Sequence, residues 1–245
     1  MSNDNLRTYN LYEHYSELKK RLLYIITLFL LAFLACYYHS EQLINFLIQP
    51  LATGGLYHKM IFTNLPEGFT SYIKIAAYFS FFIIFPFIIF QIFLFIKPGL
   101  HNNEKIIVIN LLICAIMLFY SGISLVFFQL MPKVVKFFMS FESLDTILPI
   151  MLEAKLSEYI SLTMHFMLVF GALFQLPIIV ITLCRLDLIG IDTLTSKRKI
   201  VIVVAFILGG ILTPPDIFSQ IALAIPMISL YEISIISCRL MIKKG

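Results

Sequence analysis

Polar residues along this chain gather into short clusters that separate long apolar runs. The runs are Leu22 to Tyr38, Phe69 to Ile96, Ile106 to Met131, Leu156 to Leu186, Ile200 to Leu212 and Ile217 to Ser237. About 20 apolar residues at 1.5 Å rise are needed to cover a hydrocarbon layer of roughly 30 Å, so most of these runs predict membrane-crossing helices. Most also far exceed the roughly 10-residue alternating strands of a membrane barrel, and a backbone in lipid must then satisfy itself as helix. The predicted fold is all-α, a single polytopic bundle of six helices occupying residues 1–245, with residues 1–21 as an amphipathic lead-in.

The runs are not alike. The second and fourth exceed the minimum, so they are expected to tilt, kink or extend past the interface, with Pro86 and Pro177 supplying the kinks. The fifth is too short, because Thr213-Pro214-Pro215-Asp216 ends it after 13 residues, about 20 Å of helix. Either this helix dips incompletely into the bilayer or the bilayer thins around it. The two halves of the chain share no motif, and this weighs against transporters built from paired repeats.

Composition removes the alternative of a soluble domain. With 60% hydrophobic residues, 13% charged residues and a mean hydropathy of +0.94, the chain of 245 residues has too little polar surface to cover a globule. Its basic residues also choose an orientation. With a cytoplasmic N-terminus, 13 of the 18 Lys and Arg residues fall on the cytoplasmic side, and only Lys59, Lys133, Lys136 and Lys155 fall on the other. That bias predicts both termini inside. The remaining basic residue, Lys74, lies about two turns into the second run, where its stem can snorkel to the opposite interface.

Lys19-Lys20-Arg21 before the first run is like the start of a secretory signal, but no small-x-small site follows. The first run is expected to remain as an anchor. Cys36, Cys114, Cys184 and Cys238 stand apart in different runs and read as small buried hydrophobes. With no Trp in the chain, interfacial anchoring falls to tyrosines such as Tyr24, Tyr38 and Tyr231 near run ends.

Polar residues at membrane depth carry more information. Gln175 lies two residues before Pro177; its amide either serves a carbonyl freed at the kink or on a neighbouring helix, or faces a cavity as a contact for substrate or partner. His165 lies about 280° around the same helix, so the two share no face. In the last run, Glu232 reads as a surface ion pair, and Gln220 lies 12 residues before it. Asp216 can cap the last helix through its free N–H groups, or make a contact on the trans side.

On the cytoplasmic side, Leu11, Tyr15, Leu18 and Leu22 form an apolar stripe, predicting a short interfacial helix whose polar face carries His14, Glu17 and Arg21. Glu17 and Arg21 can pair at i, i+4. A second acid, Glu104, lies in the next cytoplasmic loop. Two carboxylates on a strongly basic face are candidates for receiving a cationic ligand, because guanidinium–carboxylate pairs are strong and directional. The sequence holds no GxSxG elbow, HExxH, Walker loop or glycine-rich phosphate cradle, so an enzyme is not expected.

The segment His14-Tyr15-Ser16-Glu17-Leu18-Lys19-Lys20-Arg21-Leu22 resembles the N-terminal signature of the TatC family, the receptor subunit of the twin-arginine protein translocase. The resemblance continues through Phe69 to Lys74, Pro86 with Gln91, Phe95 to Leu100, His101 to Lys105 and Phe170 to Pro177. It is most specific at Leu212-Thr213-Pro214-Pro215-Asp216 with Ser219-Gln220.

It implies a cupped bundle of six spans, with the short last pair thinning the membrane, that binds twin-arginine signal peptides of folded proteins on its cytoplasmic face. It further implies homo-oligomeric assembly in the bilayer with single-span TatA- and TatB-type partners, transport driven by the proton motive force, and no cofactor, metal or nucleic acid. Glu17 and Glu104 match the acids linked to the arginine pair, Phe95 and Leu100 the loop and helix end beside them, and Pro50 a trans-side proline.

Gln175 stands where most bacterial relatives carry Glu, which excludes proton carriage by that side chain. Lys19 stands where the family usually has Arg, replacing a planar fork by a point charge. A bacterial cytoplasmic membrane is the implied location, or an organelle membrane, since the Phe- and Ile-rich composition fits either. A secondary transporter of a small solute is the competing class; it calls for intramembrane charge pairs and repeat symmetry that the sequence lacks.

Overall fold

The computed structural model describes residues 11–53, 60–97, 102–142, 153–185, 188–212 and 217–242. The helices are α1 (Leu11–Tyr38), α2 (Ser40–Leu47), α3 (Gln49–Thr53), α4 (Glu67–Ile96), α5 (Asn102–Leu125), α6 (Met131–Met139), α7 (Leu156–Leu173), α8 (Leu176–Arg185), α9 (Ile191–Ser196), α10 (Arg198–Leu212) and α11 (Ile217–Ile242). A π-helical turn, Val126–Leu130, joins α5 to α6. Among the described residues the only extended pairing is an isolated bridge between Ile61 and Lys155. The chain is an all-helical membrane protein, as the pattern predicts.

Several elements differ from the expected outline. The lead-in before the first run is no separate interfacial helix: α1 runs without a break from Leu11 to Tyr38. No Gly or Pro lies between Leu11 and Leu22, so nothing separates the amphipathic turns from the apolar ones. The third run does not stop at Met131 but continues through the π turn to Met139. Pro132 explains that turn, since it lacks the N–H that would bond the Phe128 carbonyl, and the backbone N–H of Met131 reaches Val126 O instead, one residue further back. The fourth run is two helices, α7 and α8, broken just before Pro177.

Among the described residues five stretches are long and apolar enough to cross a bilayer, in α1, α4, α5–α6, α7–α8 and α11. The remaining helix of the last pair, α10, has 15 residues, about 22 Å by rise, well short of the roughly 30 Å core.

The bundle is organised around α4 and α7. Helix α1 packs along α4, α7 lies against both α4 and α5, α8 lies against α11, and α10 pairs with α11. The α5–α7 contact is close because both helices present glycine. A Cβ on Gly122 would stand 2.8 Å from the Phe170 carbonyl oxygen, and one on Gly171 would stand 2.6 Å from the Phe119 ring. Small residues at such a crossing let backbones approach, which is the main source of helix adhesion in lipid. Around it, Phe85 stacks on Phe119, with Phe82, Phe166 and Phe170 buried nearby in the same core.

Proline kinks in the core are repaired by neighbours. Pro86 leaves the carbonyl of Phe82 without its i+4 donor, and the Tyr120 hydroxyl of α5 donates to it at 3.0 Å. At the α7–α8 break, the N–H of Gln175 turns back to Ala172 O at 3.0 Å. Its side-chain Nε2 donates to Ala115 O of α5 at 3.1 Å.

At the end where α4 and α7 begin, residues 60–64 form a cap over both helices. Ile61 donates its backbone N–H to Ala154 O at 3.3 Å and accepts at its own carbonyl from Leu156 N–H at 3.4 Å, and the buried Tyr159 hydroxyl donates to Leu47 O at 2.9 Å, tying α7 to α2.

Candidate functional site

The opposite end of α4 carries the residues singled out on the basic face. A helix ends with carbonyls that lack intrahelical donors, and its negative dipole end favours a cation. Arg21 of α1 fills that role for α4. Its Nη2 donates to the Leu94 carbonyl at 3.1 Å, and its Nη1 to Oε1 of the buried Gln91 at 3.1 Å. Its Nε donates to Oε1 of Glu17 at 3.1 Å, and Nη2 makes a second, shorter bond to the same oxygen.

Glu17 is thus fixed against the end of α4 by a guanidinium that is itself held at two other points. The Arg21 side chain is only 19% exposed, while that of Glu17 is 31% exposed. All of Arg21's bonds to Glu17 go to one oxygen. Among the described residues the other oxygen, Oε2, takes no hydrogen bond, so a carboxylate lone-pair edge faces outward with its orientation set. A carboxylate so placed can accept one more charge-assisted bond from an arriving guanidinium or ammonium.

Phe95 follows Leu94 in the last turn of α4 and is half-buried, so an aromatic face lies one residue from the clamp. Lys19 is exposed on α1. Glu104 lies in the first turn of α5, but its side chain, like the whole of Leu100, falls outside the described residues. The structure therefore brings Glu17 and Phe95 to one helix end and leaves the position of the second carboxylate open.

The remaining candidates sit elsewhere. Gln175 bridges the α7–α8 break to α5, with a weaker contact from Nε2 to Gly171 O at 3.5 Å. Of the two uses open to its amide, service to a neighbouring helix is observed. Gln220 of α11 donates to Phe206 O of α10 at 2.9 Å, and Gly209 and Gly210 leave the room, since a Cβ on either would lie 3.1 or 3.3 Å from it. Pro50 is buried in α3, beyond the far end of α4. Asp216 lies outside the described residues. Glu232 does form an ion pair, with Arg198 of α10 at 2.8 Å.

Sequence reasoning underrated Arg21 and Gln91. Arg21 was assigned only a local pair, and Gln91 only a place in a motif. The available signal was a lone amide one turn and a half before the end of the run, in a stretch, Phe87 to Ile96, otherwise made of Ile, Phe and Leu.

A bundle of long apolar helices defines a multi-pass membrane protein, and comparison with known proteins gives the family. The family described as TatC, Sec-independent protein translocase protein, matches residues 13–226. The chain is 47% identical over 235 residues to the Sec-independent protein translocase protein TatC of Rickettsia prowazekii, covering 95% of this chain and 94% of that one. It is 33% identical over 244 residues to the protein of the same description from Escherichia coli K12, covering 97% and 91%. A crystal structure of the twin arginine translocase receptor TatC superimposes with a TM-score of 0.80 at 32% identity, covering 93% of this chain and 99% of that one. The chain belongs to the TatC family.

Proposed function

We propose that this chain is the receptor subunit of a twin-arginine translocase, binding the arginine pair of a signal peptide at the end of α4. The observation that carries this reading is the Glu17 carboxylate, held by Arg21 through one oxygen while the other takes no hydrogen bond among the described residues. Family membership supplies the ligand class, and the clamp gives it a place to bind.

In this reading an arginine of the signal peptide donates to Glu17 Oε2 while its guanidinium plane lies toward Phe95. Glu104, on the adjacent helix start, takes the second arginine, with Leu100 walling the site and Lys19 repelling misplaced cations. Arg21 acts as a positioning residue. Without its fork the Glu17 side chain would sample several rotamers, and ordering it on binding would cost part of the affinity.

The 13 basic residues assigned to one side support an orientation with both termini in the cytoplasm. In that orientation Glu17 faces the compartment where folded cargo is made. The bacterial relatives support residence in the cytoplasmic membrane. The short α10, held to α11 by Gln220, completes a six-helix bundle and locally thins the bilayer. Asp216, Gln220 and Pro50 serve contacts with TatA- and TatB-type partners in a homo-oligomeric complex. Gln175 has no ionisable proton, so its part in transport is a polar bridge. The chain does no covalent chemistry, and the proton motive force supplies the work.

Photo-crosslinking of a twin-arginine signal peptide to membranes bearing Glu17→Ala or Glu104→Ala tests the site. Loss of the crosslink in each variant is expected; undiminished crosslinking in both overturns the assignment.

A further inference from the structure

At the other end of α4, away from Glu17, lies a polar notch that the receptor reading leaves unused. It is a cavity of about 240 Å³ between the first turns of α4 and α7, and both charge signs line it. Its charged groups are Glu67 and Lys74 of α4 with Lys155 and Glu158 at the start of α7.

The four are not equally engaged. Glu67 is spent on structure: its Oε2 accepts from the backbone N–H groups of Thr63 at 2.6 Å and Asn64 at 3.2 Å, and its Oε1 from Ser157 Oγ at 2.6 Å. Lys155 reaches only one oxygen of Glu158, at 3.2 Å, and the Glu158 side chain is 71% exposed. Among the described residues Lys74 forms no ion pair, and its ammonium donates to Ser161 Oγ at 3.1 Å.

Seven residues separate Lys74 from the start of α4, which sets it about 10 Å below the helix end. An exposed ammonium that far into a spanning helix is expected near lipid, and its partner among the described residues is a neutral hydroxyl. The Glu158 carboxylate, engaged through one oxygen by Lys155, stands a turn higher, on the outer rim. The vertical order, cation below and carboxylate above, is that of a zwitterionic headgroup's counter-charges, with phosphate nearer the hydrocarbon and amine nearer the water. We propose that the notch binds the headgroup of an amine-bearing phospholipid of the leaflet away from Glu17, a phosphatidylethanolamine. Lys74 holds its phosphodiester, and Glu158, through the oxygen that Lys155 does not reach, accepts from its primary ammonium.

The amine discriminates among lipids. A primary ammonium donates to a carboxylate, whereas the trimethylated headgroup of phosphatidylcholine has no N–H, and phosphatidylglycerol leaves Glu158 without a cation. A site of matched charge also gains nothing from a net anion.

The test is native mass spectrometry of the purified full chain in detergent, titrated with short-chain phosphatidylethanolamine, phosphatidylcholine, phosphatidylglycerol and, separately, free phosphoethanolamine. The wild type is expected to retain phosphatidylethanolamine about tenfold more tightly than the other two lipids, the loss of one charge-assisted bond. Free phosphoethanolamine should bind only weakly, since it carries no acyl chains. Lys74→Gln should lower retention of all three lipids. Glu158→Gln, at an exposed position where folding is not at stake, should abolish the preference for the amine. Equal retention of the three lipids by the wild type, an unchanged preference in Glu158→Gln, or free phosphoethanolamine binding as tightly as the lipid overturns the proposal. Because Glu17 plays no part in this measurement, its outcome is separate from that of the receptor reading.

Discussion

Arg21 is the residue on which the proposed site depends, although Glu17 is the one proposed to meet the ligand. A guanidinium offers five donors in a rigid fork, and here the fork is shared among a carboxylate, an amide and a helix-end carbonyl on two helices. A lysine cannot span that set. Arg21→Lys is therefore expected to weaken signal-peptide binding by about tenfold, through loss of about 1.4 kcal/mol of charge-assisted bonding and preorganisation. Fluorescence anisotropy with a labelled peptide would measure it, and unchanged affinity would show that Glu17 needs no positioning. Sequence spacing made the Glu17–Arg21 pair legible, because i and i+4 residues meet on a helix. It could not show the bonds to Gln91 and Leu94, which lie 70 and 73 residues away and exist only once α1 packs on α4.

Between elements, the same logic governs the kinks. Hydropathy and proline positions located Pro86 and Pro177 inside long runs, and the structure shows what each costs and what offsets it. At Pro86 the cost is an orphaned carbonyl at Phe82, met by Tyr120. Tyr120→Phe keeps the ring and removes that donor, so it is expected to destabilise the fold by about 1 kcal/mol, as intramembrane hydrogen bonds do. Thermal unfolding in detergent would register it, and an unchanged midpoint would mean that another group serves Phe82. Nothing in the sequence signals this bond, because the partner of Tyr120 belongs to another helix. The breaks at the fourth run and the π turn at Val126 were equally hidden. Periodicity shows an apolar segment, but whether a proline bends it, breaks it or shifts its register depends on which neighbours can satisfy the freed groups. Pro226, inside α11, carried no expectation at all.

For the whole molecule, the feature legible from the first was the undersized helix. The 13 residues from Ile200 to Leu212 become 15 in α10, still about 22 Å, and α10 packs mainly on α11 rather than within the central core. Many of its outward residues, among them Ile202, Val203, Ile207 and Ile211, are exposed and left to lipid or a partner. A short helix at the edge of a bundle relaxes its mismatch by thinning the bilayer, at a cost of a fraction of a kcal/mol per Å. If that thinning serves passage of folded cargo, inserting four leucines after Lys199 should abolish transport in vesicles while leaving signal-peptide crosslinking intact. Retained transport would make the short helix incidental, and lost crosslinking would point to misfolding instead. Fold class and span positions were readable because lipid permits so few backbones. The proposed site was readable only in part, since a site assembled from helix ends depends on how the helices meet.

The central claim is that the Glu17 carboxylate itself receives an arginine of the signal peptide. A double-mutant cycle addresses it directly, pairing Glu17→Gln in the protein with Arg→Gln at each arginine of the peptide and reading dissociation constants by anisotropy. The account predicts a coupling of about 1.5 kcal/mol or more between Glu17 and one of the two arginines, the range of close charge pairs at interfaces. Additive losses with both arginines, and hence no coupling, would contradict it.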